Sequence, residues 1–160
     1  MFEVKTMEFD EKVIGAVNAF RNRQERRVAT AEHTERMEEM AAERFNQIVE
    51  SDILPLFHRT AELLKESCIV QIHRQEHTAE RPFVVSVAMV VTPKEGVLIR
   101  QIRQPYPKLE ICLRQKTLKV VIFTELLRLA KLQLEEIDFA ELTPEKLEQC
   151  VHDFVVEIFR

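Results

Sequence analysis

Five consecutive residues, His73-Arg74-Gln75-Glu76-His77, form the one string in this chain whose residue types and spacing suggest catalysis. On a helix, two imidazoles four positions apart share a face and can hold a divalent metal, while a glutamate beside them takes a proton from metal-bound water. The preceding run, Cys68-Ile69-Val70-Gln71-Ile72, alternates with a period of two, and Pro82 follows. That context predicts a strand end and a polar hairpin loop at 73–77, where a helix would be needed for metal chemistry.

The string resembles the H-x-x-E-H signature of the inverzincin metalloproteases, and the resemblance covers these five residues only. It implies His73 and His77 as metal ligands and Glu76 as the general base. No motif for a third ligand follows, and no cofactor is expected. His33 and His58 sit in charge-rich helical surroundings and are expected in solvent; His152 lies one helical turn beyond Glu148, a surface pairing distance.

Nucleophile and phosphate chemistry are poorly served. Serine occurs only at positions 51, 67 and 86, never within G-x-S-x-G. Glycine occurs only at positions 15 and 96, so neither a P-loop nor a G-x-G-x-x-G cradle can be assembled. Both need several unobstructed backbone N–H groups around a ligand phosphate. Readings as an NTPase, a kinase or a Rossmann dehydrogenase are therefore set aside.

Charge is uneven along a chain whose net charge is −4. Residues 93–119 carry seven bases against two acids, and residues 120–160 carry four bases against nine acids. A basic sheet surface of Arg100, Arg103, Lys108, Arg114, Lys116 and Lys119 offers contacts to a polyanion such as nucleic acid. Only Tyr106 and Phe123 lie nearby as stacking platforms. Internal complementarity, or contact between subunits of opposite charge, is favoured over nucleic acid. The cluster Arg21, Arg23, Arg26 and Arg27 has glutamates at 25, 32 and 35 for neighbours and reads as a solvated helix face.

The elements that would position these groups follow from periodicity. At 160 residues, with 46% apolar and 31% charged residues, the chain has the size and composition of one globular domain spanning 1–160. Residues 10–66 hold one glycine and one proline among good helix formers, predicting a helical arm or hairpin. Whether 10–49 is one helix or two stays open. Asp52 and Pro55 suggest a restart, with a helix kinked at Pro55 as the competing description. Residues 68–137 predict a mainly antiparallel sheet of about five strands. Thr92–Gly96 is expected to be a turn, residues 96–102 its returning strand, and 125–137 a final strand in preference to a helix. The C-terminal helix, 143–159, is capped by Thr143 and started by Pro144; Leu147, Val151, Phe154 and Ile158, with Cys150, Val155 and Phe159, make a wide apolar stripe. The fold class expected is α+β, with this helix packed on one face of the sheet.

Cys68, Cys112 and Cys150 are odd in number and each lies in an apolar run, which predicts buried, reduced thiols. The opening residues, MFEVKTMEFDEK, contain no apolar leader run, and no stretch reaches the roughly 20 apolar residues of a membrane span. The expected location is the cytoplasm, with no membrane partner. A helical arm of about 40 residues is roughly 60 Å long, longer than a domain of this size can cover. Its stripe of Val13, Val17, Phe20, Met37, Ala41, Phe45 and Ile48 would then be buried by a second chain, a homodimer being favoured. The function expected is a non-enzymatic protein-interaction or scaffold module. The alternative is a regulatory domain binding a small ligand between sheet and helices.

Overall fold

A computed structural model of the chain describes residues 2–77, 83–94, 106–126 and 131–160. The architecture is α+β: a long N-terminal helix, a five-stranded antiparallel sheet and a C-terminal helix. Helix α1 runs Phe2–Ile48, so residues 10–48 form one helix, and a π-helical turn, Val49–Ile53, leads into helix α2, Leu54–Leu64. Strands β1 (Cys68–His77), β2 (Phe83–Pro93), β3 (Lys108–Arg114), β4 (Lys119–Leu126) and β5 (Lys131–Ile137) follow. Helix α3, Pro144–Phe159, closes the order. The chain divides into two compact units, Met1–Met37 and Glu38–Arg160.

In the second unit the five strands stand in sequence order, every neighbour antiparallel. Register carries one face across the whole sheet: Ile72 lies opposite Met89, Met89 opposite Leu109, and Leu109 opposite Thr124. Val84, Val87, Val91, Ile111, Leu113, Val120, Ile122 and Ile137 fall on the same side, and all are buried. A bulge lies between the pairs Gln75–Ser86 and Glu76–Val84, where β2 holds the extra residue Val85.

Helices cover that one face. Phe45, Val49, Ile53 and Phe57 are all fully buried in a single core with the sheet residues and with Leu147, Val151, Phe154 and Ile158 of α3. Four-residue steps overshoot an α-helical turn by about 40° each, so three such steps would swing Phe57 far round from Phe45. The π turn resets the phase. Leu54 donates its N–H to the Val49 carbonyl, an i→i+5 bond that winds fewer degrees per residue.

The restart expected at Asp52 and Pro55 is corrected here. Ile48, Ile53 and Leu54 all keep helical backbone angles, and no side-chain cap is made at either junction. Pro55 lacks an N–H and its ring crowds the carbonyl four residues back in a regular helix; the wider turn carries the chain past it without a break. The C-terminal helix starts as expected, the Thr143 hydroxyl accepting from the Lys146 N–H at 3.2 Å. Its stripe is narrower than expected, since Phe159 is exposed.

Residues 125–137 are strand on both sides of a connection that lies outside the described residues. The strand expected at 96–102 lies outside them as well, as does the end of the turn expected at Thr92–Gly96; Thr92 and Pro93, expected to open that turn, instead end β2. Among the described residues β2 runs through Pro93 and pairs with β3. The β3–β4 turn, residues 115–118, ends on Leu118 at a φ of 55°, a left-handed position that only a few per cent of non-glycine residues adopt. Leu118 packs its side chain against the core.

Candidate functional site

The catalytic-looking string sits within β1, and the strand takes its chemistry apart. A strand advances about 3.3 Å per residue, which sets the Cα atoms of His73 and His77 about 13 Å apart. A helical turn would set those Cα atoms about 6 Å apart, where both imidazoles can reach one metal ion. Glu76 points to the other side of the sheet from His73: Arg74 and Glu76 share a face, Nη2 to Oε1 being 3.9 Å, while His73 alternates away from them. Arg74 also reaches Glu50 on the π turn at 2.7 Å. Among the described residues no group of three or more His, Cys, Asp and Glu side chains is placed to hold a metal. His33 and His58 are exposed, and His152 lies 3.3 Å from Asp153.

The basic residues fare similarly. Arg100 and Arg103 lie outside the described residues. Lys108, Arg114 and Lys119 stand on the sheet face opposite the helices, and each meets an acid there. Lys108 is 3.2 Å from Glu110, Arg114 is 3.0 Å from Glu136 beyond β4, and Lys119 is 3.9 Å from Asp138. The Lys108 ammonium also lies 5.2 Å from the centre of the Phe123 ring. Lys116 is exposed in the β3–β4 turn. Glu136 of β5 and Asp138 just beyond it thus answer Arg114 and Lys119, while Lys108 is answered within its own strand.

The stripe expected to run from Val13 to Ile48 divides into two fates. Ala41 and Phe45 are buried in the sheet unit's own core, and Ile48 packs against that core, so these three residues are corrected from a self-association face to intramolecular packing. In the first unit every described side chain from Met7 to Met37 is exposed. Val13, Val17, Phe20 and Met37 belong to that set, as do Met7, Phe9, Ile14 and Val28. Phe9 (66% exposed), Val13 (45%), Val17 (46%) and Phe20 (56%) fall within an arc of about 80° at 100° per residue. The spacing 9, 13, 17, 20 was visible in the sequence, but Phe9 was lost among the charges at 8 and 10–12.

A groove of about 850 Å³ opens between α3 and the helix-facing side of β4 and β5. Ile122, Leu126, Phe154 and Val156 supply its apolar walls. Its polar groups are largely paired with one another: Lys146 Nζ donates to Glu135 at 2.7 Å, and Gln149 Nε2 to Asp153 at 2.7 Å. The Glu135 hydrogen bond holds the Lys146 ammonium above its ordinary pKa. Cys150 lines the groove, and burial pushes its thiol up, so it is a poor nucleophile at neutral pH. The sequence signal for this site was faint, since Lys146, Gln149 and Asp153 keep helical spacing beside the apolar stripe of α3 but which strands α3 covers depends on packing that periodicity does not record.

All three cysteines are free, Cys68 buried and the other two half-buried. Cys112 is the most perturbed: burial, reinforced by the charge and hydrogen bond of Glu110, pushes its thiol from an ordinary 9.0 up to about 12. Two consequences are expected. At pH 8 a thiol reagent such as DTNB labels Cys112 slowly in the folded chain and rapidly in denaturant, because the thiolate is the reacting species. Between about pH 9 and pH 12 the unfolded thiol ionises while the folded one keeps its proton, so Cys112 makes folding stability fall as pH rises through that window. Equal labelling of Cys112 in the two states would contradict the burial assigned to it. Comparison with protein families, with curated proteins and with solved structures found no match to this chain.

Proposed function

We propose that this chain is a non-enzymatic protein-interaction or scaffold module that self-associates through the apolar face of its N-terminal helix. One observation carries the reading: Phe9, Val13, Val17 and Phe20 lie exposed on one face of a unit in which every described side chain, Met7 to Met37, is exposed. A helix in water gains most of its stability by packing an apolar face, and this face has no such packing within its own unit. Fully covering a Val or Phe side chain is worth about 1.5–3 kcal/mol. These four are about half exposed, so covering them on two copies contributes roughly 6–12 kcal/mol, the same order as an association cost of about 4–15 kcal/mol. The three free cysteines suit a reducing, cytoplasmic setting. No helix among the described residues is long and apolar enough to cross a membrane.

A contrast between two phenylalanines tests the reading. Phe20→Glu is expected to convert a self-associating chain to monomer in sedimentation velocity while the unfolding midpoint of the sheet unit stays in place. Phe45→Ala is expected to lower the unfolding free energy by about 3–5 kcal/mol through the cavity it leaves, with self-association retained wherever the chain is folded. A wild-type chain that stays monomeric at high concentration, or a Phe20→Glu chain with unchanged mass, contradicts the reading.

The groove beside α3 favours a second reading, a regulatory domain that takes a small amphipathic ligand. It predicts saturable binding of anilinonaphthalene sulfonate by the folded chain, weakened severalfold by Val156→Asp in the groove wall. Binding that never saturates, or that ignores this substitution, removes it.

A further inference from the structure

We propose that the partner seated on the apolar face of α1 is a second copy of the chain lying antiparallel to the first, with the two-fold axis level with Val13 to Val17. The inference rests on the self-association reading above and adds the geometry of the pairing. Two-fold contacts are self-complementary: whatever residue i meets, that residue on the other copy meets i. Turning the stripe end for end sets Phe9 opposite Phe20 and Val13 opposite Val17, so each layer holds side chains of matched size. All four are exposed in the single chain.

Charge selects the direction. Level with Phe9 stand Glu8, Asp10 and Glu11; at and beyond Phe20 stand Arg21, Arg23, Arg26 and Arg27, with Glu25 the one acid among them. An antiparallel pair lays the acidic block of each copy along the basic block of the other. Asp10 and Arg21 lie on the same shoulder of the stripe, about 60° and 80° round from Val13 at 100° per residue. In antiparallel packing that shoulder faces its own counterpart, which sets Asp10 of each copy against Arg21 of the other. A parallel pair would instead lay the acids beside acids and the arginines beside arginines, a repulsive arrangement at both levels. Within its own chain Glu8 answers Lys12 at 2.8 Å, whereas Asp10 and Arg21 make no ion pair among the described residues. Both are exposed and free to serve a second copy.

The test uses the full chain at low ionic strength, where exposed charges are least screened. Asp10→Arg sets Arg against Arg at both copies of the pair, and Arg21→Asp sets Asp against Asp. Each variant alone is expected to weaken the dimer about tenfold by sedimentation equilibrium. An equimolar mixture of the two restores opposite charges at both contacts, and its dimer is expected within a few-fold of wild type. The double variant is expected to behave like the mixture. A mixture no tighter than the single variants overturns the antiparallel arrangement, and so do single variants that associate as wild type does. Phe20→Glu separates this failure from that of the underlying reading. If Phe20→Glu dissociates the wild-type assembly and the mixture still fails to recover, the helix face pairs in another geometry. If the wild-type chain is monomeric throughout, self-association itself falls. Circular dichroism of each variant establishes that the helix is intact.

Discussion

Four side chains spaced four residues apart, Phe45, Val49, Ile53 and Phe57, must all reach the same face of the sheet, and the helical half of the larger unit is shaped by that requirement. An unbroken α-helix would spread them over about 120°, and the π turn at Val49–Ile53 narrows that arc by resetting the phase between α1 and α2. With the phase reset, Phe57 and Phe45 share one apolar core with Met89, Ile111 and Val120 from the sheet and with Phe154 from α3. The salt bridge from Arg74 to Glu50 ties β1 to this same turn.

The opposite face of the sheet is governed by a different rule. There the side chains are mixed in sign, and bases of β3 and β4 stand beside acids, as in Arg114 with Glu136 of β5 and Lys119 with Asp138 just past its end. Exposed pairs of this kind contribute little to stability. What they do is set an acid beside each of Lys108, Arg114 and Lys119.

Much of the fold was legible because its signals are local. Alternation in Cys68–Ile72 marked β1, and Thr143-Pro144 marked the start of α3 through a cap that needs no distant partner. The π turn was not legible, since a four-residue spacing of apolar residues reads equally as a drifting helix or a restarted one. The His73-to-His77 string was misleading for a related reason: a motif records order, while metal chemistry needs conformation, and a strand separates what a helix would gather. The apolar sets Val13–Phe20 and Met37–Ile48, separated by the polar stretch 21–36, read alike in the sequence because periodicity is blind to what covers each residue. Val13 is exposed and Phe45 fully buried, a difference only tertiary packing defines. The cross-strand ion pairs and the groove were hidden because both depend on register between segments far apart in the chain.

Hydrogen exchange of the amides of residues 7–30, followed across a wide range of protein concentration, probes the central claim most directly. A helix completed by pairing with another copy should show protection in this segment that rises with concentration, while amides in β2, β3 and β4 stay protected at every dilution. Protection at residues 7–30 that is independent of concentration, or absent throughout, would contradict it.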